Sequence, residues 1–450
     1  MIRKLGISLS NWSMRYIPDP SIFAVVLTFI AFLLGIFVTK STPMQMVLNW
    51  YKGLWELLTF SMQMALMVIT ASAVSNAPLI KRWISNLASK PKNSKQAAYL
   101  VALVSCVTAI IHWGLGLIVG ALLAKEVAKS FRKRQIAFEY GLIGAAAYLG
   151  QMVWHGGPSA SIGLLIATPG HFLEKVIGVI PMSKYMFNPM NIAVTIACII
   201  FPPLFAYLIH PKEEEIRPIE EETAKFLDKD DVVITKQVIK NETIGDMLNN
   251  SKLINLLLGL LGMVYIIYHF ATKGFSLDLN IVNTVFLFTG ILLHGTVANY
   301  VTAVKEATSG VSGIIFQFPL YAGIMGMVRY SGLVDVLASA IVSISTPLTF
   351  YFWTFITSSI VNLFVPSGGG QWAVQGPIAM KSAAMINASF IKTALAVAYG
   401  NTWTNMFQPF WAIALLGITG LKARDIIGYS TAIMLLSGFI FILGVLFLPA

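Results

Sequence analysis

Two polar interruptions late in the chain carry the residue types best suited to hold a ligand. Ser367-Gly368-Gly369-Gly370-Gln371-Trp372 breaks one apolar run, and Gly400-Asn401-Thr402, with Asn405 and Gln408, breaks the next. Glycines at such a tip let a ligand approach bare backbone, and the first amides of the helix that follows favour an anion. Carbonyls where a helix stops, joined by Asn and Thr oxygens, suit a small hard cation such as Na⁺. Asn401 and Asn405 are spaced to share a helical face. In hydrocarbon an unpaired backbone group is costly, so a broken helix persists only where protein or a watery cavity covers it. Paired breaks of this kind point to the substrate site of a secondary transporter.

The first half holds weaker counterparts, His112-Trp113-Gly114-Leu115-Gly116 and Gly150-Gln151 followed by Trp154-His155-Gly156. A shift of 254 positions lays Gln63 on Gln317, Gly114 on Gly368 and Gly116 on Gly370. A shift of 250 lays Gly150-Gln151 on Gly400-Asn401 and Gly170 on Gly420. Matches of Gly and polar types at fixed spacing indicate an internal repeat, since apolar runs alone would match anywhere. The candidate substrate-binding set is Ser367, Gly368, Gly369, Gly370, Gln371, Trp372, Asn401, Thr402, Asn405 and Gln408, with His112, Trp113, Gly114, His155 and Gly156 from the first half. A Na⁺ position is expected near Gly114, Gly116, Asn401 and Asn405. His112 and His155 are the titratable groups of this set and could carry a coupled proton instead. They lack the spacing and the third ligand of a metal site, and no other cofactor is implied.

No Asp, Glu, Lys or Arg falls in the tips or breaks. One carboxylate can be held by amides and hydroxyls; two or three would need charge compensation. A small monocarboxylate therefore fits better than a di- or tricarboxylate, which stays as the alternative along with an anion channel. Catalysis is disfavoured, because Ser367 has no evident base and no zinc protease motif is present. An ATP-driven pump is disfavoured by the missing GxxxxGK[ST] loop.

Composition sets the class. Hydrophobic residues make up 56% of the chain and charged residues 11%, against about a quarter charged in soluble domains. Mean hydropathy is +0.75. The net charge of +11 reflects basic cytoplasmic loops, not nucleic-acid binding. The two cysteines lie in apolar segments, so neither a disulfide framework nor a thiolate metal site is expected. Spans are expected near 21–39, 57–78, 189–209, 253–271, 279–294, 310–328 and 428–449. Residues 21–38 read as a spanning helix, not a signal peptide.

Segments 97–124 and 349–386 each fold around a Gly-rich centre, and 139–168 and 390–419 each carry a polar break. The stretch 97–124 has basic residues on both flanks, Lys81 to Lys95 before it and Lys125 to Arg134 after it. Both flanks should be cytoplasmic, which makes 97–124 a re-entrant hairpin. The expected fold is an all-α polytopic membrane protein of two inverted repeats, each with a re-entrant hairpin and a broken transmembrane helix. Its parts are a first repeat at 1–210, a cytoplasmic linker at 211–252, a linking helix at 253–271 and a second repeat at 272–450. With the N-terminus cytoplasmic, the inner segments hold 23 of the 31 Lys and Arg.

Several motifs closely resemble the bacterial short-chain fatty acid transporter family. They are VPSGGGQWAVQGP at 365–377, AYGNTWTNMFQPFWA at 398–412, FQFPLYAGI at 316–324, MQMAL at 62–66 and the pattern from Trp12 to Ala24. The resemblance implies carriage of acids such as acetoacetate and butyrate across the bacterial cytoplasmic membrane. That family is similar in layout to a wider superfamily of citrate and dicarboxylate carriers. From it the resemblance implies a homodimer in lipid, with a transport unit moving against a scaffold. The SGGG tip departs from the Ser-Asn-Thr tips of the dicarboxylate carriers, so their sodium ligands do not carry over.

Overall fold

Several helices begin where a side chain takes up a free amide of the first turn. Asn93 accepts from Gln96 N ahead of Ser94–Ile111, Asn188 caps Pro189–Leu208, Asp278 caps Leu279–His294 and Ser389 caps Phe390–Asn405. A computed structural model describes residues 20–228, 243–308, 311–363, 365–408 and 410–449, and all regular structure among them is helical. The N-terminal basic residues, the motif around Trp12 and linker residues 229–242 lie outside the described residues.

Five helical stretches among the described residues are long and apolar enough to cross a membrane: Leu58–Ser75, Ser94–Ile111, Pro189–Leu208, Ile244–Lys273 and Ala423–Phe447. Val297–Thr308 and Ser312–Tyr330 form a bent pair that would make a sixth. The expected spans at 21–39 and 279–294 are the helices Pro20–Val38 and Leu279–His294. With so many apolar helices, the protein is a multi-pass membrane protein. Both Gly-centred segments are helix pairs: Ser94–Ile111 with Trp113–Lys133, and Phe350–Asn362 with Gly368–Met385. Both polar breaks are present. Tyr140–Tyr148 gives way to a 3-10 turn at Leu149–Gly156 before Ser161–Ala167, and Phe390–Asn405 stops before Ala412–Thr419.

Four shorter helices were not anticipated: Pro43–Leu54, Pro78–Ala88, Val297–Thr308 and Leu333–Ser343. They continue the repeat. Pro43–Leu54 and Val297–Thr308 start and end 254 positions apart, and Pro78–Ala88 and Leu333–Ser343 stand 255 apart. Packing is exchanged between the halves. Pro43–Leu54 packs on Ser312–Tyr330, while Val297–Thr308 packs on Leu58–Ser75. Ala412–Thr419 packs on Trp113–Lys133, while Ser161–Ala167 packs on Gly368–Met385. One exchange brings backbones together: a Cβ on Gly53 would lie 2.4 Å from Ala322 O and 2.6 Å from Gly326 Cα.

The acidic stretch after residue 211 is docked, not loose. Arg217 pairs with Glu139, which is only 2% exposed, at the entrance to the first broken helix. Glu220 meets Lys422 and Arg424, Asp228 meets Arg132, and the Thr223 hydroxyl donates to Gly420 O. The strap therefore touches the first hairpin, the first broken helix and the start of the last helix.

Candidate functional site

The two tips are built alike and finished differently. In the first, His112 alone separates the helices, in extended conformation. Its Nδ1 accepts from Gly114 N at 3.1 Å, and Ser159 Oγ accepts from Trp113 N at 2.9 Å. An Nδ1 that accepts a backbone amide carries no proton itself, so the ring is neutral with its hydrogen on Nε2. In the second tip, Ser367 Oγ accepts from Gly370 N at 3.3 Å. Gly368 and Gly369 there supply first-turn amides, which have no acceptor within the helix.

None of the tip glycines has a positive φ. They are glycine because neighbours stand where a Cβ would go. A Cβ on Gly368 would lie 2.8 Å from His155 Nε2, on Gly369 2.5 Å from Phe60, and on Gly370 2.6 Å from Tyr321. These are close-packing positions at the start of a helix, and the second tip is fully packed.

Each tip is pinned to its broken helix by an equivalent serine. Ser105 Oγ donates to Ala147 O and Ser358 Oγ to Val397 O, both at 2.6 Å. Gly150 and Gly400 lie against these serines with no room for a side chain.

The four interruptions meet around Trp154. Its ring stacks on Trp113 of the first tip at 4.6 Å and meets Trp411 after the second break at 5.3 Å. Trp113 and Trp411 also touch each other, at 5.0 Å. His155 stacks on Trp154 and lies against Gly368 of the second tip, with Asn401 of the second break beside it. Both polar atoms of Gln151, Nε2 of His112 and the indole nitrogens of Trp113, Trp154 and Trp411 are buried without hydrogen-bond geometry to a described residue, and His155 has only Asn401 beside it. Buried polar groups are ordinarily paired, so these groups have capacity left for a ligand.

Beside this junction lies a neutral network of amides. Asn401 Nδ2 donates to Asn362 Oδ1 and to Gln371 Oε1, each at 2.7 Å. Gln371 Nε2 donates to Ser358 O at 2.8 Å and to Gln375 Oε1 at 2.9 Å. Asn362 Nδ2 lies 2.9 Å from Asn401 O and 3.0 Å from both Thr404 Oγ1 and Asn405 Oδ1. Gln408 Nε2 donates to Asn362 O at 2.8 Å, and the Tyr148 hydroxyl reaches Asn405 O and Gln408 O from the other half.

A cavity of about 550 Å³ opens beside the first tip, between Trp113 and Gly114, the Leu58–Ser75 helix and Ser312–Tyr330. Trp411, Phe410, Gln317 and Glu306 line it, and among the described residues no Lys or Arg does.

A family model described as short chain fatty acid transporter matches residues 1–448. The chain belongs to the short chain fatty acid transporter family. Two relatives, each described as a candidate short-chain fatty acid transporter, are 38% identical to it. One, from Escherichia coli (strain K12), aligns over 99% of both chains. The other, from Haemophilus influenzae (strain ATCC 51907 / DSM 11121 / KW20 / Rd), aligns over 100% of both. Two solved structures are similar at 14% identity and a TM-score of 0.48. They are the Alcanivorax borkumensis YdaH transporter, over 95% of this chain and 97% of that one, and Neisseria gonorrhoeae MtrF, over 98% and 96%. Membership points to transport, not catalysis.

Of the residues expected at the site, Gly368, Gln371, Asn401 and His155 come together directly, and Asn405 and Gln408 join through Asn362. Trp113 joins through Trp154. Thr402 does not take part, since its hydroxyl bonds Ala398 O and Tyr399 O of its own helix. Trp372 is buried against Gly376 in its own helix, and Gly156 faces Thr195. The four residues expected around Na⁺ fall in two places: Gly116 is pressed on Ala109 inside the first hairpin, while Asn401 and Asn405 sit in the amide network. Sequence reasoning missed Asn362, Thr404 and Tyr148. Asn362 was visible as a lone Asn in an apolar run four positions before Pro366.

Proposed function

We propose that the protein is a secondary transporter of short-chain monocarboxylates such as acetoacetate and butyrate, working by alternating access in the bacterial cytoplasmic membrane. The observation that carries this reading is the meeting of both tips and both breaks at one junction without a charged side chain. The substrate carboxylate is assigned to the free first-turn amides at Gly368 and Gly369, next to His155. Its short tail is assigned to the apolar wall of Trp113, Trp154 and Trp411.

The exchanged packing supports a two-fold relation between the halves. The basic flanks of the first hairpin support its entry and exit on the cytoplasmic side, which makes the repeats inverted. Cysteines placed at Lys92 and Lys133 are then both labelled from the cytoplasm, and labelling from opposite sides would remove the inversion. The cavity at the first tip is bordered by Glu306, next to Lys305 on the side read as cytoplasmic. The second tip is closed over by Phe60, Phe318 and Tyr321. This combination is read as an inward-open state, with the hairpins and broken helices moving as one unit in an elevator-like step. A homodimer surrounded by lipid rests on the family resemblance. A coupling ion, H⁺ or Na⁺, is assigned to the first half, where Gln151 and His112 Nε2 are buried without a described partner.

Reconstitution in liposomes tests the reading. Labelled butyrate and acetoacetate should accumulate under an imposed Na⁺ or pH gradient, with butyrate competing better than succinate or citrate. Strong inhibition by citrate with none by butyrate would overturn it.

A further inference from the structure

Where a helix stops inside a membrane protein, its last carbonyls are left without helical partners and attract a cation or a donor. In the second break the donors are already present. Trp403 O, Thr404 O and Asn405 O take the amides of Met406, Phe407 and Gln408, Asn405 O and Gln408 O also take the Tyr148 hydroxyl, and Met406 O takes Ser430 Oγ at 2.7 Å; one turn earlier, Asn401 O takes Asn362 Nδ2. Asn362 is the centre. Three oxygens, Asn401 O, Thr404 Oγ1 and Asn405 Oδ1, face its one amide nitrogen at 2.9, 3.0 and 3.0 Å. Thr404 gives its own hydrogen to Gly400 O at 2.9 Å, so it turns a lone pair toward Asn362. An amide nitrogen has two hydrogens, yet three oxygens converge on it. Gln371 Nε2 is also faced by three oxygens, but two of them belong to Ser358; the shell at Asn362 is drawn from three residues, as an ion's would be. Its spacing is that of N–H···O bonds, wider than the roughly 2.3–2.6 Å at which a hard cation such as Ca²⁺ holds oxygen.

We infer that the side-chain amide of Asn362 fills the place of a cation in the second break, so that this half of the junction works without a bound ion. Asn362 is thereby a positioning residue: its two hydrogens fix the ends of the broken helix while its Oδ1 orients Asn401. The inference rests on the transport reading only for its importance to uptake; ion binding itself can be measured apart from transport.

The test is thermal unfolding of the purified full-length protein in NaCl and in choline chloride at equal ionic strength. Wild type and Asn405→Ala should show the same difference between the two salts, since no cation uses Asn405. Asn362→Asp places carboxylate oxygens among the three acceptors and should gain stabilisation of a few degrees in Tm specific to Na⁺. Stabilisation of the wild type by Na⁺ that Asn405→Ala abolishes would overturn the inference. So would a folded Asn362→Asp that gains nothing from Na⁺. Should Asn405→Ala not fold, Thr404→Val removes an oxygen from the same shell and gives the same comparison. Failure of butyrate uptake in liposomes, with these salt effects intact, would count against the substrate assignment alone.

Discussion

The two halves place different chemistry on the same frame. Ser105 and Ser358 make the same bond to the broken helix behind them, 253 positions apart, so Ala109 stands where Asn362 stands. Counted from the capping residues His112 and Ser367, the shift is 255 and not 254, so Gly116 stands where Gln371 stands and not on Gly370, while Gln151 answers to Asn401. In the second half these three amides bond one another. In the first half Ala109 and Gly116 close up to the point that a Cβ on Gly116 would lie 2.4 Å from Ala109, and Gln151 has no described partner. One half is locked by hydrogen bonds, the other by close packing that leaves polar capacity unused. A junction with one rigid and one receptive half can hold its geometry and still answer to a ligand.

Substitutions at equivalent positions should separate these roles. The largest effect is expected at Asn362→Leu. It leaves several buried oxygens unsatisfied, each at about 1–3 kcal/mol, so Tm should fall steeply and uptake should vanish. Gln151→Leu should do the reverse in stability, since no bond is lost: Tm unchanged or raised, with uptake down about tenfold or more, equivalent to about 1.4 kcal/mol or more. Equal loss of Tm in both variants would break the comparison.

Gly369→Val comes next. Its new side chain would run into Phe60 and Phe318, so expression and uptake should both fall. Adding Phe60→Ala should restore folding. Restored uptake in the double variant would show that the glycine serves packing alone; continued inactivity would keep it as a carboxylate-binding position. Tyr148→Phe removes one hydroxyl shared between Asn405 O and Gln408 O. A loss of about 1 kcal/mol is expected, seen as a modest drop in Tm with a few-fold rise in half-saturation concentration. Smallest of all, Lys422→Ala should leave uptake and Tm unchanged, since its partners are in solvent. Arg217→Ala, which strands the buried Glu139, should lower Tm measurably.

Hydropathy made the spans legible, and Gly and polar types inside apolar runs made both tips and breaks legible. What failed was weighting. Asn362 looks like ordinary glue between helices until its three acceptors are seen. Helical pitch from Asn401 runs through Thr404, Asn405 and Gln408, so Thr404 was available from spacing, whereas Thr402 faces elsewhere. The packing at the glycine tip was not legible, because sequence reports the absence of a Cβ and not what stands in its place. The four short helices escaped because each is only 11 or 12 residues long, too short to read as a span.

The absence of charge at the junction has an electrical consequence. In the proposed cycle the residues that meet the substrate add no charge of their own to the step. In that proposed cycle a monocarboxylate brings one negative charge, and a potential of 100 mV, negative inside, opposes its inward passage by about 2.3 kcal/mol. The same voltage assists export by the same amount, and exchange of one short-chain acid for another is indifferent to it. Unless a cation travels with the substrate, voltage and concentration together set the direction of net flow.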